Sequence, residues 1–339
     1  MPTVLDLASE MTGQIPGLPR LLATKQVNLS LDQLQKEYLW SWNTGEGVLI
    51  IPDSVQDGTV AVTKFSPTIT FDATAIAALN ASPVSIIPIT SRQFRKPGGP
   101  IYSILAYNST TGVATLDRLY LEDSNASLQY LVYRVYYDPP SSDGVTPNTD
   151  FLRYLAILNY TQGYTISGRR LYMTQAQLNS RDPLRGAFGQ PYYTATYKQT
   201  PNNPANANAV NQGFMQYELW PHCGFGQGLK CIYERQHVDL AMTDYLPSQC
   251  SIPLLKYKMF EHGYRWALQN SGRIPELKGV DWRFSLAEVM KAFKLELVGA
   301  KRNDKEILLN LVTPGSGMNA FLGPIDSNFM QSHDSPAMW

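Results

Sequence analysis

Apolar side chains recur with a helical period at both ends of the chain. Near the start, Thr3 is placed to cap a short helix and Ser30 to cap a second, whose apolar residues follow i, i+3, i+4 spacing. The same spacing predicts two long helices near the other end, at about 252–270 and 281–303. Two shorter helices are also predicted, at about 150–160 and 170–179.

Between residues 47 and 137 the pattern is typical of strands. Short runs rich in β-branched and aromatic residues, such as TVAVT and QYLVYRVYYD, are separated by Gly, Pro, Asp, Asn or Ser. Several such runs at near-regular spacing predict a small sandwich or barrel. Further along, YYTATYKQ is predicted to be a strand, and the runs at 217–221 and 229–240 are predicted to form a hairpin.

These patterns predict an α+β fold, in which a helical core carries an inserted β-sandwich or barrel-like domain and an extended C-terminal tail. The expected divisions are 1–46 for the N-terminal helical part of the core, 47–138 for the β insertion, 139–303 for the remainder of the core with the hairpin and long helices, and 304–339 for the tail.

The composition favours a protein that packs against neighbours. Charged residues make up 17% of the chain, below the roughly 25% that is usual, and Tyr occurs 20 times. Tyr offers a large contact area at low entropic cost, although β-rich proteins are also rich in Tyr and Thr. Lys+Arg and Asp+Glu both number 28, so there is no global positive field to hold nucleic acid, and only a local basic patch could do so.

The cysteines and the chain start indicate a reduced, membrane-free protein. Cys223, Cys231 and Cys250 form no Cys-x-x-Cys spacing, which argues against a disulfide framework or a zinc site. The first residues carry acidic side chains and no long apolar run, so no signal peptide is expected. The apolar stretches are also shorter than the ~20 residues that a membrane span needs.

The sequence contains none of the common catalytic motifs considered next. No two His residues are spaced as a helical metal-ligand pair, and neither a Gly-x-Ser-x-Gly elbow nor a phosphate-binding loop is present. Gly224, Gly226 and Gly228 precede a strand-like run rather than a helix, so they indicate a turn and not a dinucleotide site. We therefore expect that the protein is not an enzyme and has no cofactor.

One basic group on the last predicted helix has two interpretations. Lys291, Lys294, Lys301 and Arg302 could line a channel through which DNA passes, with weak and salt-sensitive phosphate contacts. Alternatively, they are solvated cations towards the C-terminal end of a helix, where the helix dipole favours positive charge.

Several segments, in this order and spacing, resemble the head-to-tail adaptor (connector or neck) proteins of tailed bacteriophages. Together they span residues 3–270, and no single one is specific. The segments are Trp40-Ser41-Trp42, the run DGTVAVTKFSPTITF at 57–71, Tyr136-Tyr137-Asp138-Pro139-Pro140, Arg181-Asp182-Pro183-Leu184-Arg185 with Gly189-Gln190-Pro191, and Tyr217-Glu218-Leu219-Trp220-Pro221.

The resemblance implies a structural virion protein made in the host cytoplasm and located in the virion neck. It would form a homo-dodecameric ring that joins the capsid portal to the tail, extends the DNA channel and contacts tail, collar or tail-terminator proteins. Packaged DNA would lie near it without specific recognition. The second late helix and the tail are less similar to the family, which leaves the contacts of the tail open.

The tail itself has apolar residues spaced as anchors for a groove on the portal protein. A disordered terminus is the alternative. The proposed anchors are Met318, Phe321, Leu322, Phe329, Met330, Met338 and Trp339.

Three other functions stay open from the sequence. The Tyr and Trp content would suit a receptor- or carbohydrate-binding module of a tail fibre or baseplate, although the helices at both ends argue against it. A tail-completion protein of the next ring would show the same patterns. A virion-associated hydrolase is a further alternative, without a supporting constellation of residues.

Overall fold

The computed structural model describes residues 1–81, 88–140, 150–159, 164–167, 172–191, 193–199 and 215–312. The chain divides into two compact units. The first comprises Met1–Gly45 and Glu234–Trp339, and the second comprises Glu46–Tyr233. The chain therefore leaves the first unit once and returns to it once.

Helices and strands both contribute to the described structure, which confirms the α+β class. The helices are α1 (Val4–Gln14), α2 (Arg20–Glu37), α3 (Ala73–Ala81), α4 (Gln175–Arg181), α5 (Ile252–Asn270) and α6 (Trp282–Val312). The strands are β1 (Thr44–Ile51), β2 (Val60–Val62), β3 (Thr68–Phe71), β4 (Gln93–Arg95), β5 (Ile101–Tyr107), β6 (Val113–Leu116), β7 (Asn125–Leu128), β8 (Leu131–Tyr133), β9 (Tyr136–Tyr137), β10 (Phe151–Asn159), β11 (Tyr164–Ser167), β12 (Tyr193–Gln199), β13 (Met215–Trp220) and β14 (Gln227–Arg235).

The first unit is built on helices α1, α2, α5 and α6, whose apolar stripes meet in one core. Leu7 and Met11 of α1, Leu34 of α2 and Met259 of α5 are all essentially inaccessible to solvent. At Gly263 of α5, an added Cβ would come within 3 Å of the side-chain ends of Met11 and Ile15, so these two side chains pack directly against the backbone of α5 at the glycine.

The ends of these helices test the predicted caps. The cap at Thr3 is confirmed, because Thr3 and Asp6 form a reciprocal capping box. The cap at Ser30 is wrong. Helix α2 already begins at Arg20 after Pro19, and Ser30 is buried inside it with its Oγ donating to the carbonyl oxygen of Gln26 at 2.7 Å. A serine hydroxyl can bond the carbonyl four residues earlier, so Ser30 does not have to start a helix.

The two long late helices are confirmed, with one change of length. Helix α6 continues past residue 303 to Val312, so the apolar run EILLNLV extends the helix instead of opening the predicted tail at 304. Asp304, at that predicted boundary, is buried and accepts a hydrogen bond from the backbone N–H of Ser41 at 2.9 Å. This contact holds the helix at the point where the tail was expected to begin.

The second unit contains a seven-stranded antiparallel sheet in the order β7-β2-β3-β6-β5-β4-β8. Its core is strongly aromatic, with Phe71, Phe94, Tyr102, Tyr120 and Tyr130 packed edge-on, tilted or stacked. Aromatic pairs of this kind contribute beyond the area that they bury. Of the strands predicted between residues 47 and 137, β2 to β8 form this sheet, whereas β1 and β9 pair in other sheets. The segment between β3 and β4 contains the helix α3, which the strand pattern did not predict.

Two smaller sheets complete the strand pairings. One has the order β1-β14-β10-β11, and the other β12-β13-β9. Strands β1 and β14 are hydrogen-bonded neighbours, and the two boundaries between the units fall within them, after Gly45 and after Tyr233. The second unit continues well past residue 138, where the insertion was expected to end, because the following segments form strands.

The helix predicted at 150–160 is wrong. Residues Phe151–Asn159 form β10, which lies between β14 and β11 and pairs antiparallel with β11. Six consecutive residues from Tyr154 to Asn159 are buried. A strand covered on both sides shows no alternation, and its apolar run therefore imitates a buried helix. The helix predicted at 170–179 is α4, which begins later, after a capping box at Thr174.

The hairpin predicted at 217–240 is also wrong, although both of its strands exist. Strand β13 pairs with β12 and β9, whereas β14 belongs to the other small sheet. The segment that connects β13 to β14 is hydrogen-bonded to other parts of the second unit. His222 exchanges backbone hydrogen bonds with Ala187 and Gly189, and the N–H of Gly226 donates to Asp53 at 2.6 Å.

No helix in the described ranges combines the length and the apolar character that crossing a bilayer would require. Residues 313–339, which carry most of the predicted tail, lie outside the described residues.

Candidate functional site on the last helix

Helix α6 has one face in the core and one in solvent. Trp282, Phe293 and Ala300 are buried against the other helices of the first unit. On the opposite side, Phe284 is 64% exposed, and Leu295 and Val298 are each 71% exposed. Large apolar side chains are normally scattered singly on a surface, and several on one face of a helix indicate a contact surface.

Three cations share this side of the helix. Lys291, Lys294 and Arg302 are exposed, and neither lysine forms an ion pair with a side chain that the structure describes. Lys291 and Arg302 are 11 residues apart, close to three full turns at about 3.6 residues per turn, so they point the same way. We call the set Phe284, Lys291, Lys294, Leu295, Val298 and Arg302 the α6 face.

Lys301 does not belong to the α6 face. It is half-buried, and its Nζ lies 5.3 Å from the centre of the Tyr38 ring. This is the distance of a cation–π contact. The structure therefore brings together three of the four basic residues that the sequence singled out and turns the fourth towards another part of the same unit.

The rotation of α6 about its axis is fixed by Asp304. Its carboxylate receives hydrogen bonds from the backbone N–H and the hydroxyl of Ser41, which lies in a short 3-10 turn. Burial raises the pKa of Asp304, while the bonds from Ser41 oppose that rise. Because the bonded carboxylate is on the core side, the α6 face must point outward.

The proposed tail anchors cannot be placed beside the α6 face. Met318, Phe321, Leu322, Phe329, Met330, Met338 and Trp339 lie outside the described residues.

A second polar cluster lies inside the second unit. The Nε of Arg185 donates to Oε1 of Glu218, and Gln175 Nε2 donates to the other carboxylate oxygen at 3.1 Å. Asp182 accepts from the Gly186 N–H at 2.7 Å and from the Trp220 indole at 3.1 Å. The cluster therefore joins the 181–191 segment to β13, two segments that carry the resemblance noted in the sequence.

His222 lies at the edge of this cluster and is fully buried. Its Nε2 lies 3.7 Å from Oε1 of Glu218, and neither ring nitrogen has a hydrogen bond of normal geometry within the described residues. Burial lowers its pKa to about 4, and nearby Arg185 and Arg95 act in the same direction against the opposing effect of Asp182. His222 is therefore neutral at pH 7. Because Glu218 and Arg185 are also buried, this cluster secures a loop and presents no open cleft for a substrate.

The cysteine thiols have no catalytic setting. All three are buried and unpaired, and burial raises the pKa of Cys250 to about 12. A thiol with such a pKa is protonated and unreactive at neutral pH. Within the described ranges, no group of three or more His, Cys, Asp or Glu residues is arranged to hold a metal ion.

One exposed aromatic residue was not identified from the sequence. Phe65 lies in the turn between β2 and β3, is 64% exposed, and has a φ of 64°. A bulky residue in this left-handed conformation is uncommon. Its N–H donates to the carbonyl oxygen of Tyr120 at 2.7 Å, and the flanking Leu119 and Leu121 are also exposed. A turn residue follows no periodic pattern, so only the backbone conformation identifies it.

No protein-family model and no curated protein matches this chain. The α6 face, with its apolar and basic side chains, is the feature of the described structure that bears most directly on function.

Proposed function

We propose that this chain is a structural subunit of a tailed-bacteriophage neck, where a homo-oligomeric ring joins the capsid portal to the tail and extends the DNA channel. The observation that carries the proposal is the α6 face, where Leu295 and Val298 are each 71% exposed next to exposed cations. Apolar side chains among charges indicate a surface that protein covers in an assembly. The order of the motifs described in the sequence supports the phage neck as the place of that assembly.

A ring is favoured over a symmetric dimer because a two-fold contact would place the cations of the α6 face against the same cations of the other copy. The α6 face is one patch on one helix, and a neighbouring copy that covers it with a different patch gives a head-to-tail contact that closes into a ring. With 31 residues, α6 is about 46 Å long at 1.5 Å per residue. A helix of this length can run through the depth of a ring wall.

The long side chains of the cations at the rim of the covered patch are proposed to extend past the neighbouring copy to where DNA passes. Lys291, Lys294 and Arg302 are exposed, and neither lysine forms an ion pair with a described side chain, which leaves them available for weak phosphate contacts. Such contacts are independent of base sequence, which suits a channel through which DNA slides. Lys301, which contacts Tyr38, would contribute less.

The remaining parts of the proposal concern neighbours. The helical first unit would form the core of the ring, and the second unit would be the insertion that faces collar or tail proteins. The apolar residues from Met318 to Trp339 would insert into the portal protein. A tail-completion ring has the same physical requirements and differs only in which proteins it contacts.

The test is the mass of the purified full-length chain, alone and mixed with portal rings, measured by native mass spectrometry and seen by electron microscopy. We expect rings in at least one of the two samples. The double substitution Leu295→Asp with Val298→Asp should prevent them. Leu21→Asp is the matched control, because Leu21 is 61% exposed on α2 of the same unit. A wild-type chain that stays monomeric with portal rings would overturn the proposal.

A receptor-binding tail module is the second candidate, and Phe65 with Leu119 and Leu121 is the observation that favours it. An exposed aromatic side chain held by a left-handed backbone suits a sugar or a protein partner. Binding to a glycan array that is lost in Phe65→Ala, together with a monomeric mass, would favour this candidate over the neck ring.

A further inference from the structure

The α6 face presents a surface that should not stay in water in an isolated subunit. Phe284, Leu295 and Val298 are at least 64% exposed, and Lys291 and Lys294 lie between them along the helix without an acidic partner in the described part of the chain. A matching occupant needs apolar side chains and negative charge. It must also reach the face.

The segment that follows α6 in the sequence has this chemistry. Residues 313–339 contain Asp326 and Asp334 but no Lys or Arg. They also contain eight large apolar residues, which are Met318, Phe321, Leu322, Ile325, Phe329, Met330, Met338 and Trp339. The exposed Glu288 lies on the same side of α6 as Lys291, Lys294 and Arg302, so the cations outnumber the acid there. The charge of the segment is therefore opposite to the net charge of that side, and its apolar content is similar.

We propose that in the isolated subunit residues 318–330 lie along the α6 face of their own chain, antiparallel to the helix. Leu322 then packs near Leu295 and Val298, Asp326 lies beside Lys291 and Lys294, and Phe329 lies towards Phe284. In this order each apolar residue of the segment meets an apolar residue of the face, and the carboxylate meets the lysines.

Chain lengths permit this arrangement. Val298 lies 14 residues before Val312, which is about 21 Å along a helix, and the nine residues 313–321 can span about 30 Å when extended. Phe284 lies 28 residues before Val312, or about 42 Å, and the 17 residues to Phe329 can span about 56 Å. Pro314, Gly315 and Gly317 supply residues suited to the required reversal of the chain.

The same chain is favoured over a neighbouring copy as the source of the segment. A tethered segment meets its own helix at an effective concentration in the millimolar range, well above the concentration of free subunits in a dilute sample. The inference concerns the isolated subunit and does not depend on the proposed ring. If rings do form, the segment must leave the α6 face before a neighbour can cover it.

The experiment is zero-length carbodiimide cross-linking of the full-length chain, because this reagent joins a carboxylate to a lysine only when the two are in contact. An equal mixture of isotopically heavy and light copies is treated at low concentration and the linked peptides are identified by mass spectrometry. We expect links from Asp326 to Lys291 or Lys294, within heavy or within light chains. The absence of such links, or links only between heavy and light chains, would overturn the proposal.

Matched variants separate the contact from chance proximity. Leu295→Ser should slow the formation of these links, by about tenfold if the Leu295 side chain is fully covered in the wild type. Leu21→Ser removes an equally exposed leucine from α2 and should leave the rate unchanged. Asp326→Asn should abolish the links while Lys25, exposed on α2, gains none. An equal effect of the two leucine substitutions would refute the placement on the α6 face.

The outcomes also separate this inference from the proposed function. If the links form within one chain and the protein never forms rings, the inference is supported and the proposed neck function is rejected. If rings form but no link from Asp326 is found, the proposed function is supported and the placement of residues 318–330 is rejected.

Discussion

The Nε of Arg185 donates a hydrogen bond to Oε1 of Glu218, and both side chains are buried in the second unit. Arg185 also has a φ of 54°, so the backbone adopts an uncommon conformation where the guanidinium enters the core. Its Nη1 donates to the carbonyl oxygen of Asp182 at 2.7 Å. The ion pair therefore fixes the loop after α4 to strand β13 and sets the shape of that part of the unit.

Glu218→Gln should destabilise the second unit. The change keeps the shape of the side chain but leaves the buried Arg185 without its counter-charge, and breaking a buried pair in this way costs about 3–5 kcal/mol. Urea unfolding followed by tryptophan fluorescence would measure the loss. Asp123→Asn is the control, because the Lys64–Asp123 pair is exposed and should cost under about 1 kcal/mol. Equal losses in the two variants would show that the buried pair has no special role.

His222 should make stability depend on pH. Its pKa is lowered from 6.5 to about 4 in the folded protein, so the unfolded chain takes up a proton first as the pH falls. The contribution of neutral His222 to the free energy of unfolding is fully present above pH 6.5. It falls by on the order of 3 kcal/mol between pH 6.5 and about 4.

The measurement is the free energy of unfolding from pH 8 to pH 4 for wild type and His222→Gln, which does not titrate. Burial raises the pKa of Glu218, which adds stability as the pH falls, so the difference between the two curves and not either slope alone reports on His222. A difference that is constant with pH would contradict the prediction.

Phe65→Gly should give a more stable protein than Phe65→Ala. Both substitutions remove the exposed ring, but only glycine adopts a φ of 64° without cost, and the left-handed conformation costs other residues roughly 1–2 kcal/mol. Part of that gain is offset because glycine gives the unfolded chain more freedom. Thermal unfolding of the two variants would measure the difference. A less stable glycine variant would mean that the turn is not strained.

Asp304→Ala should loosen the C-terminal half of α6. The change removes the acceptor for the backbone N–H and hydroxyl of Ser41, and an unsatisfied buried donor costs about 1–3 kcal/mol. Amide hydrogen exchange should accelerate in the last turns of α6 and around Ser41. Ser41→Ala leaves the backbone bond in place and should have a smaller effect. Unchanged exchange in Asp304→Ala would show that apolar packing alone holds the helix.

Replacing Lys291 and Lys294 with Ala should weaken binding to duplex DNA and make it less sensitive to salt. Each lost phosphate contact lowers the slope of log affinity against log salt by about 1, so the double variant should lose about 2 for each subunit that contacts DNA. Fluorescence anisotropy over a range of salt concentrations gives the slope. Lys25→Ala is the control, since Lys25 is exposed on α2. The same slope in all three proteins would remove DNA contact from the role of the α6 face.

Local signals in the sequence predicted those elements whose ends are set locally. The capping box of Thr3 and Asp6 identifies the start of α1, and the apolar spacing at about 252–270 identified α5. Helix α2 was misjudged because Ser30 bonds within the helix. Strand β10 was taken for a helix because burial on both sides removes the alternation that identifies strands.

In the candidate site, too, features set by local sequence were predicted, and features set by contacts distant in the sequence were not. The sequence grouped Lys291, Lys294, Lys301 and Arg302 on one predicted helix. It did not separate Lys301 from the others, because the contact of Lys301 with Tyr38 depends on the packing of distant segments. The pairing of Arg185 with Glu218 joins residues 33 positions apart, and no pattern along the chain predicts which carboxylate a given arginine will meet in the core.

The pairing of β1 with β14 has a consequence for how this protein can vary. The chain enters the second unit after Gly45 and leaves it after Tyr233, on two strands that are immediate neighbours, about 5 Å apart. A short loop of a few residues could bridge that gap, so the whole unit behaves as a cassette that can be excised or exchanged without pulling the ends of the remaining chain apart. The second unit can therefore change in length or sequence while the helices of the first unit stay as they are.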